Sequence, residues 1–384
     1  MCSKILILLT AFFLSNSTFG QFQNFQFKHI TIDQGLSSNR VHSFGQDKNG
    51  FIWIGTPEGL QRFDGYEFKT FHTRAHYGQS PLFEDNHGNL WMICEGCEVY
   101  KLDLETEDIE NYPSVGNLTW DLYHDDEGII WAITKGFGIA KYVHEADTFI
   151  TYKHDPDDNY SINCDYISVI YKDSKKNVWI GTQKGLNLFD VENEYFREFR
   201  DGPKVTVLDI EEDQEGILWL ATINGLYKFN PNNGKFTHHH YDNLKKIEFI
   251  YIDSNNNIWL VTNLGILSFD QFESKFISYP NYSKNKRLDY GISLEPILER
   301  EDGSLWSVAN RRLSLYDPSI NDFIFFHPNP NNIYSVNDAL FCNIFEDKSR
   351  NLWIGTMSGG INYIPGFTKK FTFFPKKSVT TLYV

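Results

Sequence analysis

Three groups of residues in this chain have types that could do chemistry. CEGC at 94–97 sets two thiols three apart, a spacing that serves redox exchange or, with a second such pair, zinc. Neither a second pair nor a ligand histidine at metal spacing accompanies it. Cys164 and Cys342 stand alone, and Cys2 falls in a segment expected to be removed. In an exported protein Cys94 and Cys97 could close a small disulfide across a turn, the alternative being two unlinked thiols. HHH at 238–240 is the densest imidazole cluster. On a strand the outer two face one way and the middle one the other, so the three cannot grip one metal together. The third group is a series of acidic turns, DKNG at 47–50, DNHG at 85–88, DDEG at 125–128 and DQEG at 213–216. Each offers too few carboxylates for calcium, and the alternating acids of an EF-hand loop are absent. Motifs of the G-x-S-x-G, H-E-x-x-H, Walker A and G-x-G-x-x-G types are missing. Catalytic residues, a cofactor and a metal are therefore not expected.

Binding chemistry remains. Trp120, within NLTWD at 117–121, offers a flat face that could stack on a sugar or aromatic ring, or else fill core at a strand start. Arg74, His76 and Tyr77, then Tyr160 and Asn163, then Arg287 and Tyr290 add polar and aromatic groups in three separate loops. These eight residues are the candidate ligand contacts.

What must position them is a repeat. FIWIGTPEGLQRFDG at 51–65 carries an aromatic on a short strand, a Gly-Thr, a turn ending in Gly, and an apolar strand closing on Phe-Asp. The pattern returns around Trp53, Trp91, Trp131, Trp179, Trp219, Trp259, Trp306 and Trp353, in steps of 38, 40, 48, 40, 40, 47 and 47 residues by subtraction. Strand-only units of this period imply the four-stranded antiparallel blades of an all-β propeller. An Asp lies six residues before the Trp in seven of the eight units, at 47, 85, 125, 173, 213, 253 and 347. Asp accepts hydrogen bonds from turn amides, and the following Gly takes the left-handed conformation. The Trp ring fills the wedge between blades, burying on the order of 150–250 Å². Small residues after it, as in Gly55-Thr56, Gly181-Thr182 and Gly355-Thr356, allow close backbone approach. A Gly six past the Trp (59, 185, 225, 265 and 359) turns the chain into the third strand. The units at Trp91 and Trp131 hold one extra residue there, so their turns should differ.

FQFKHI at 25–30 alternates like a half-buried strand and resembles the segments that end each unit. The chain thus begins with the last strand of a unit completed later, a closure that leaves no sheet edge open. Linkers at 72–81, 111–119, 153–166, 200–204, 241–246, 280–295 and 327–340 vary most and hold the candidate contacts other than Trp120, which directly follows the second. They share a face with the second-to-third-strand turns, which makes that face the expected site.

Composition agrees. The hydrophobic share of 41% with 16% aromatics supports a large core, and a net charge of −15 opposes nucleic-acid and anionic-lipid binding. Residues 1–20 read as a signal peptide: Lys4, an apolar run to Leu14, then small and polar residues, with cleavage expected after Gly20. No later run is long and apolar enough for a membrane span. The mature chain is expected in the periplasm or outside the cell.

The W-I-G-T-x-x-G-L-x-x-F-D unit, the preceding D-x-x-G and the opening GLSSNRVHSFGQDKNGFIWIGTPEGLQRFDG resemble the two-component regulator propeller family. The family forms the extracytoplasmic sensor of hybrid histidine kinases, mostly in Bacteroidetes. The resemblance covers nearly everything after residue 20. It implies signal transduction through an oligosaccharide or small-solute ligand, with no catalytic residue in the propeller. It further implies seven-bladed propellers followed by membrane and kinase parts. This sequence stops at Val384 without a membrane helix or kinase motif, as a truncated or stand-alone sensor would. The expected division is a propeller over 21–340 and an eighth repeat over 341–384. By that resemblance the ring is expected to have seven blades and the extra repeat to start a second propeller, the alternative being an eighth blade of the same ring. The alternative function is a protein-interaction or homodimerisation propeller without a small ligand.

Overall fold

The computed structural model describes residues 25–71, 81–94, 96–115, 119–125, 127–242, 244–283 and 296–366. These form eight four-stranded antiparallel sheets, seven of them meanders in chain order. Blades I to VII span 43–71, 83–112, 119–152, 167–198, 207–239, 247–278 and 297–325. Blade VIII takes three strands from 341–364 and its outer strand from Lys28–Ile30, which pairs with the third strand through Lys28 to Tyr363 and Ile30 to Ile361.

Blade adjacency runs unbroken from I to VIII, and the first strands of VIII and I meet, so the blades form one ring. First strands of successive blades touch along much of it, which makes them the inner wall. The count is eight, the alternative reading, and not the seven blades plus an extra repeat that the resemblance favoured. Residues 341–364 therefore belong with the ring.

Each blade is built as the repeat demands. The second strands, such as Ile52–Thr56, Val178–Thr182 and Leu218–Thr222, are buried along their whole length. The repeat tryptophans are all buried, each packed toward the following blade; Trp259, for example, lies with Ile297, Leu305 and Phe323 of blade VII. A Cβ on Gly181 would meet Val169 at 2.6 Å and the Val207 carbonyl of blade V at 3.0 Å, so this junction requires glycine. The turn glycines 59, 185, 225 and 265 have positive φ as expected, but in the last unit Gly360 (φ 78°) takes that place, not Gly359. The turns with an extra residue do differ. Thr134 bonds the carbonyl of Gly138 four residues on, where Thr56 reaches Gly59 three residues on.

The meander sorts the loops into two faces. First-to-second and third-to-fourth turns lie on one, the turn face. Second-to-third turns and blade linkers lie on the other, the linker face.

Candidate functional site

The repeat acids explain themselves at atomic distance. In blade I, Asp47 Oδ1 accepts the Phe51 amide at 3.0 Å while Oδ2 accepts the Trp53 indole N–H at 2.8 Å. The same latch recurs at Asp85–Trp91, Asp173–Trp179, Asp213–Trp219, Asp253–Trp259 and Asp347–Trp353, at 2.8–2.9 Å. Burial alone would raise the Asp85 carboxyl, but hydrogen bonds from Trp91 and Asn89 hold it below the ordinary carboxylate range. Asp125 Oδ2 instead accepts from the Lys172 ammonium of blade IV at 2.8 Å. Blade VII has Arg300 at this position. Its guanidinium reaches Glu346 at 2.9 Å and the Arg350 carbonyl at 2.7 Å in blade VIII, and the buried Trp306 indole N–H has no acceptor among the described residues. These acids are structural.

The other chemistry-bearing groups are likewise placed. Cys94, Cys97, Cys164 and Cys342 are unlinked thiols. Burial pushes the Cys97 thiol up, which opposes thiolate chemistry. His238 stacks on Tyr227 at 4.3 Å, while His239 packs on Phe269 at 4.7 Å, so the three histidines alternate as a strand requires. Among the described residues no three metal-ligating side chains gather at one point.

Of the eight candidate contacts, Arg74, His76, Tyr77, Arg287 and Tyr290 lie outside the described residues. The remaining three are not brought together. Asn163 is buried: its Oδ1 accepts from Thr182 at 2.7 Å and Asn187 at 2.9 Å, and its amide N–H donates to Asn187 Oδ1. It anchors a linker. Tyr160 is exposed, edge-on to Tyr195 at 5.1 Å, where its carbonyl accepts the Phe196 amide on the outer strand of blade IV.

Trp120 opens the inner strand of blade III on the linker face. Its indole N–H donates to the Ile167 carbonyl of blade IV at 3.4 Å, and the Lys135 ammonium sits 4.9 Å from its ring. Partly buried, it packs on the blade III–IV core. Lys135 and Tyr166 form an isolated antiparallel β-bridge; Tyr166 is half-exposed, as is Phe137 in the same turn as Lys135. Tyr166 lies over the turn at Gly136, where an added Cβ would come within 3.1 Å of its ring. Trp120, Lys135, Phe137 and Tyr166 thus form an aromatic and cationic patch between blades III and IV. Sequence reading found only the first, because the other three sit on turn and linker positions with no repeat signature.

The described cavities open on the opposite, turn face. Between blades VI and VII is a cleft of about 1100 Å³, lined by two successive turns of each blade. A smaller one, of about 360 Å³, lies between VIII and I.

Comparison with known proteins fits this architecture. Residues 35–58 and 161–184 match the model of the two-component regulator propeller. Each matched segment runs from a linker into a Trp-bearing second strand. The chain is 28% identical over 175 residues to histidine kinase P4 of Formosa agariphila, covering 41% of this chain and 13% of that protein. It is 27% identical, at a TM-score of 0.59, to the extracellular domain of a hybrid two-component system of B. thetaiotaomicron, covering 89% of this chain and 42% of that one. It therefore spans well under half the length of these relatives. Virginiamycin B lyase of Staphylococcus aureus shares the fold alone, at 12% identity and a TM-score of 0.50 over 90% of this chain and 100% of the lyase. Repeat, ring and relatives agree: the chain is an eight-bladed β-propeller, and two of its repeat segments match the two-component regulator propeller model.

Proposed function

We propose that this propeller is the exported, ligand-sensing input module of a hybrid two-component signalling system, with an oligosaccharide or related solute as its signal. The observation that carries this reading is the 27% identity to an extracellular domain of such a system across 89% of the chain. The signal peptide at 1–20, removed after Gly20, delivers the module to the periplasm or cell exterior, and phosphotransfer belongs to other parts of the signalling protein. Among the described residues no helix is long and apolar enough to cross a membrane. Signal recognition uses the linker face, where Trp120 stacks on a sugar ring and Lys135 and Tyr166 supply polar contacts.

Thermal melting of the purified protein against a panel of oligosaccharides tests this. A saturable rise in Tm with at least one glycan, weakened about tenfold or more in affinity by Trp120→Ala, is the expected result. No shift across the panel, together with a concentration-dependent dimer by light scattering, would instead favour an interaction propeller.

A further inference from the structure

The cleft between blades VI and VII is lined by polar side chains and aromatic rings, with no cationic side chain among the described residues. Five side-chain amides line it, those of Asn255, Asn256, Asn257, Gln271 and Asn321, together with the rings of Phe272 and Tyr316. Phe272 is 99% exposed in the third-to-fourth turn of blade VI. A phenylalanine left wholly in water gains nothing for the fold, whereas a ring on the rim of a polar cleft is a stacking surface. Asp253, Asp270, Glu299 and Asp302 complete the walls, and no Lys, Arg or His stands among the described lining residues. None of these four carboxylates has an ion-pair partner among the described residues. Asp253 is spent on Trp259 and Asn257, and Glu299 on the amide and hydroxyl of Ser254. An anion entering here meets uncompensated negative charge. Gln271 Nε2 already donates to the Asn256 carbonyl at 3.2 Å, and Asn321 Oδ1 accepts the Tyr316 hydroxyl at 2.7 Å. A hydroxylated ring meets the Gln271 Oε1, the Asn321 Nδ2 and both ends of the Asn255 amide, with carboxylates that accept and an aromatic face for its C–H surface. The smaller cleft between blades VIII and I differs, with Lys28 and His29 in its lining.

We propose that the cleft between blades VI and VII is a second ligand site, on the face opposite the linkers, that takes an uncharged polyhydroxylated ring compound of one to three units and rejects anionic ones. Phe272 is its stacking platform, and the amides of Asn255, Gln271 and Asn321 read the hydroxyls. The volume suits such a ligand, being in the range of small-molecule sites.

The test is ligand-observed saturation-transfer NMR on the full chain, with maltose, cellobiose and lactose as uncharged probes, glucuronate as the anionic one and spermidine as the cationic one. Phe272→Ala and Asn255→Trp are the variants, since both side chains are exposed and outside the core. The first removes the platform and the second fills the cleft. Binding of an uncharged probe that falls about tenfold or more in both variants, with glucuronate silent, is the expected result. Trp120→Ala should leave that binding unchanged, which separates this site from the one on the linker face. Binding of an uncharged probe unaffected by either variant would overturn the proposal while leaving the sensor reading intact. So would a preference for glucuronate, binding of spermidine alone, or silence from all three uncharged probes at 10 mM (roughly the weak limit for a specific site).

Discussion

At the scale of single residues, the Asp–Trp latch decides most. One carboxylate oxygen closes the turn and the other accepts the indole N–H of the wedge-filling ring. The acid therefore couples a surface turn to the core between blades. Asp213→Ala strips both bonds and leaves a buried indole donor without a partner. The expected cost is about 2–3 kcal/mol, read from urea denaturation. The spacing of six was legible in sequence because it recurs, and turn chemistry accounts for half of it. The second bond was not legible, since no periodicity says where an indole nitrogen points. Arg300 shows the same limit from the other side. Its departure from the pattern is plain in the chain, but its reach to Glu346 and Arg350 depends on which blade comes next in space.

At the scale of elements, the junctions between blades carry the information that the repeat lacks. The amide of the residue after the turn Asp is capped by an acid or amide closing the next inner strand: Lys48 by Glu84, Ser174 by Glu212, Ser254 by Glu299 and Lys348 by Gln46. Linkers are pinned by similar side-chain exchange, Asn163 with Asn187 and Asn337 with Asn362. This is why Asn163, which looked like a loop contact, is an anchor instead. A polar residue in a loop gives the same sequence signal whether it faces solvent or another blade. Phe272 was overlooked for the converse reason, since one apolar residue in a turn has no periodic partner.

Asp209 makes a junction of its own. Its carboxylate accepts the Ile210 amide at 2.9 Å and, across to the inner strand of blade VI, the Ile250 amide at 2.8 Å. Burial pushes this carboxyl up to about 7 from 3.8, against the pull of those two amides. The folded protein then holds a proton that the unfolded chain gives up, so stability from this group falls as pH rises from about 4 to 7. Asp209→Asn cannot ionise. Its Tm relative to wild type should therefore improve between pH 5 and pH 8, by the equivalent of about 2 kcal/mol, in parallel melts at matched ionic strength. A difference that stays flat with pH would show that the carboxyl titrates normally.

At the scale of the molecule, eight blades share one closure. Lys28–Ile30 covers the edge of Ile361–Ile364, and the buried Phe27 follows it into the core beside Trp306 and Phe341. The sequence revealed this closure through the alternation of 25–30, and it offered both blade counts. The resemblance favoured seven blades and a leftover, and the repeat pattern could not correct it, because a leftover repeat and a final blade look the same until their edge finds a partner. Removing residues 25–30 should cost at least about 3 kcal/mol, given the apolar side chains exposed and the edge left unpaired. Urea denaturation would read the loss, and light scattering would show association through the open edge. A truncated protein as stable and as monomeric as the intact one would mean that the ring does not depend on this strand.

That closing strand also sets an order on how the protein can be made. Lys28 and Tyr363 are 335 residues apart by subtraction, so the contact that finishes the ring is among the longest-range in the chain. Such contacts are reached late and make folding slow. A chain emerging from its amino end presents the closing strand 335 residues before its partner. In between, that strand must stay unpaired beside seven growing sheets. A synthetic peptide of residues 25–30, added during refolding, should compete with the chain's own strand for the final seam.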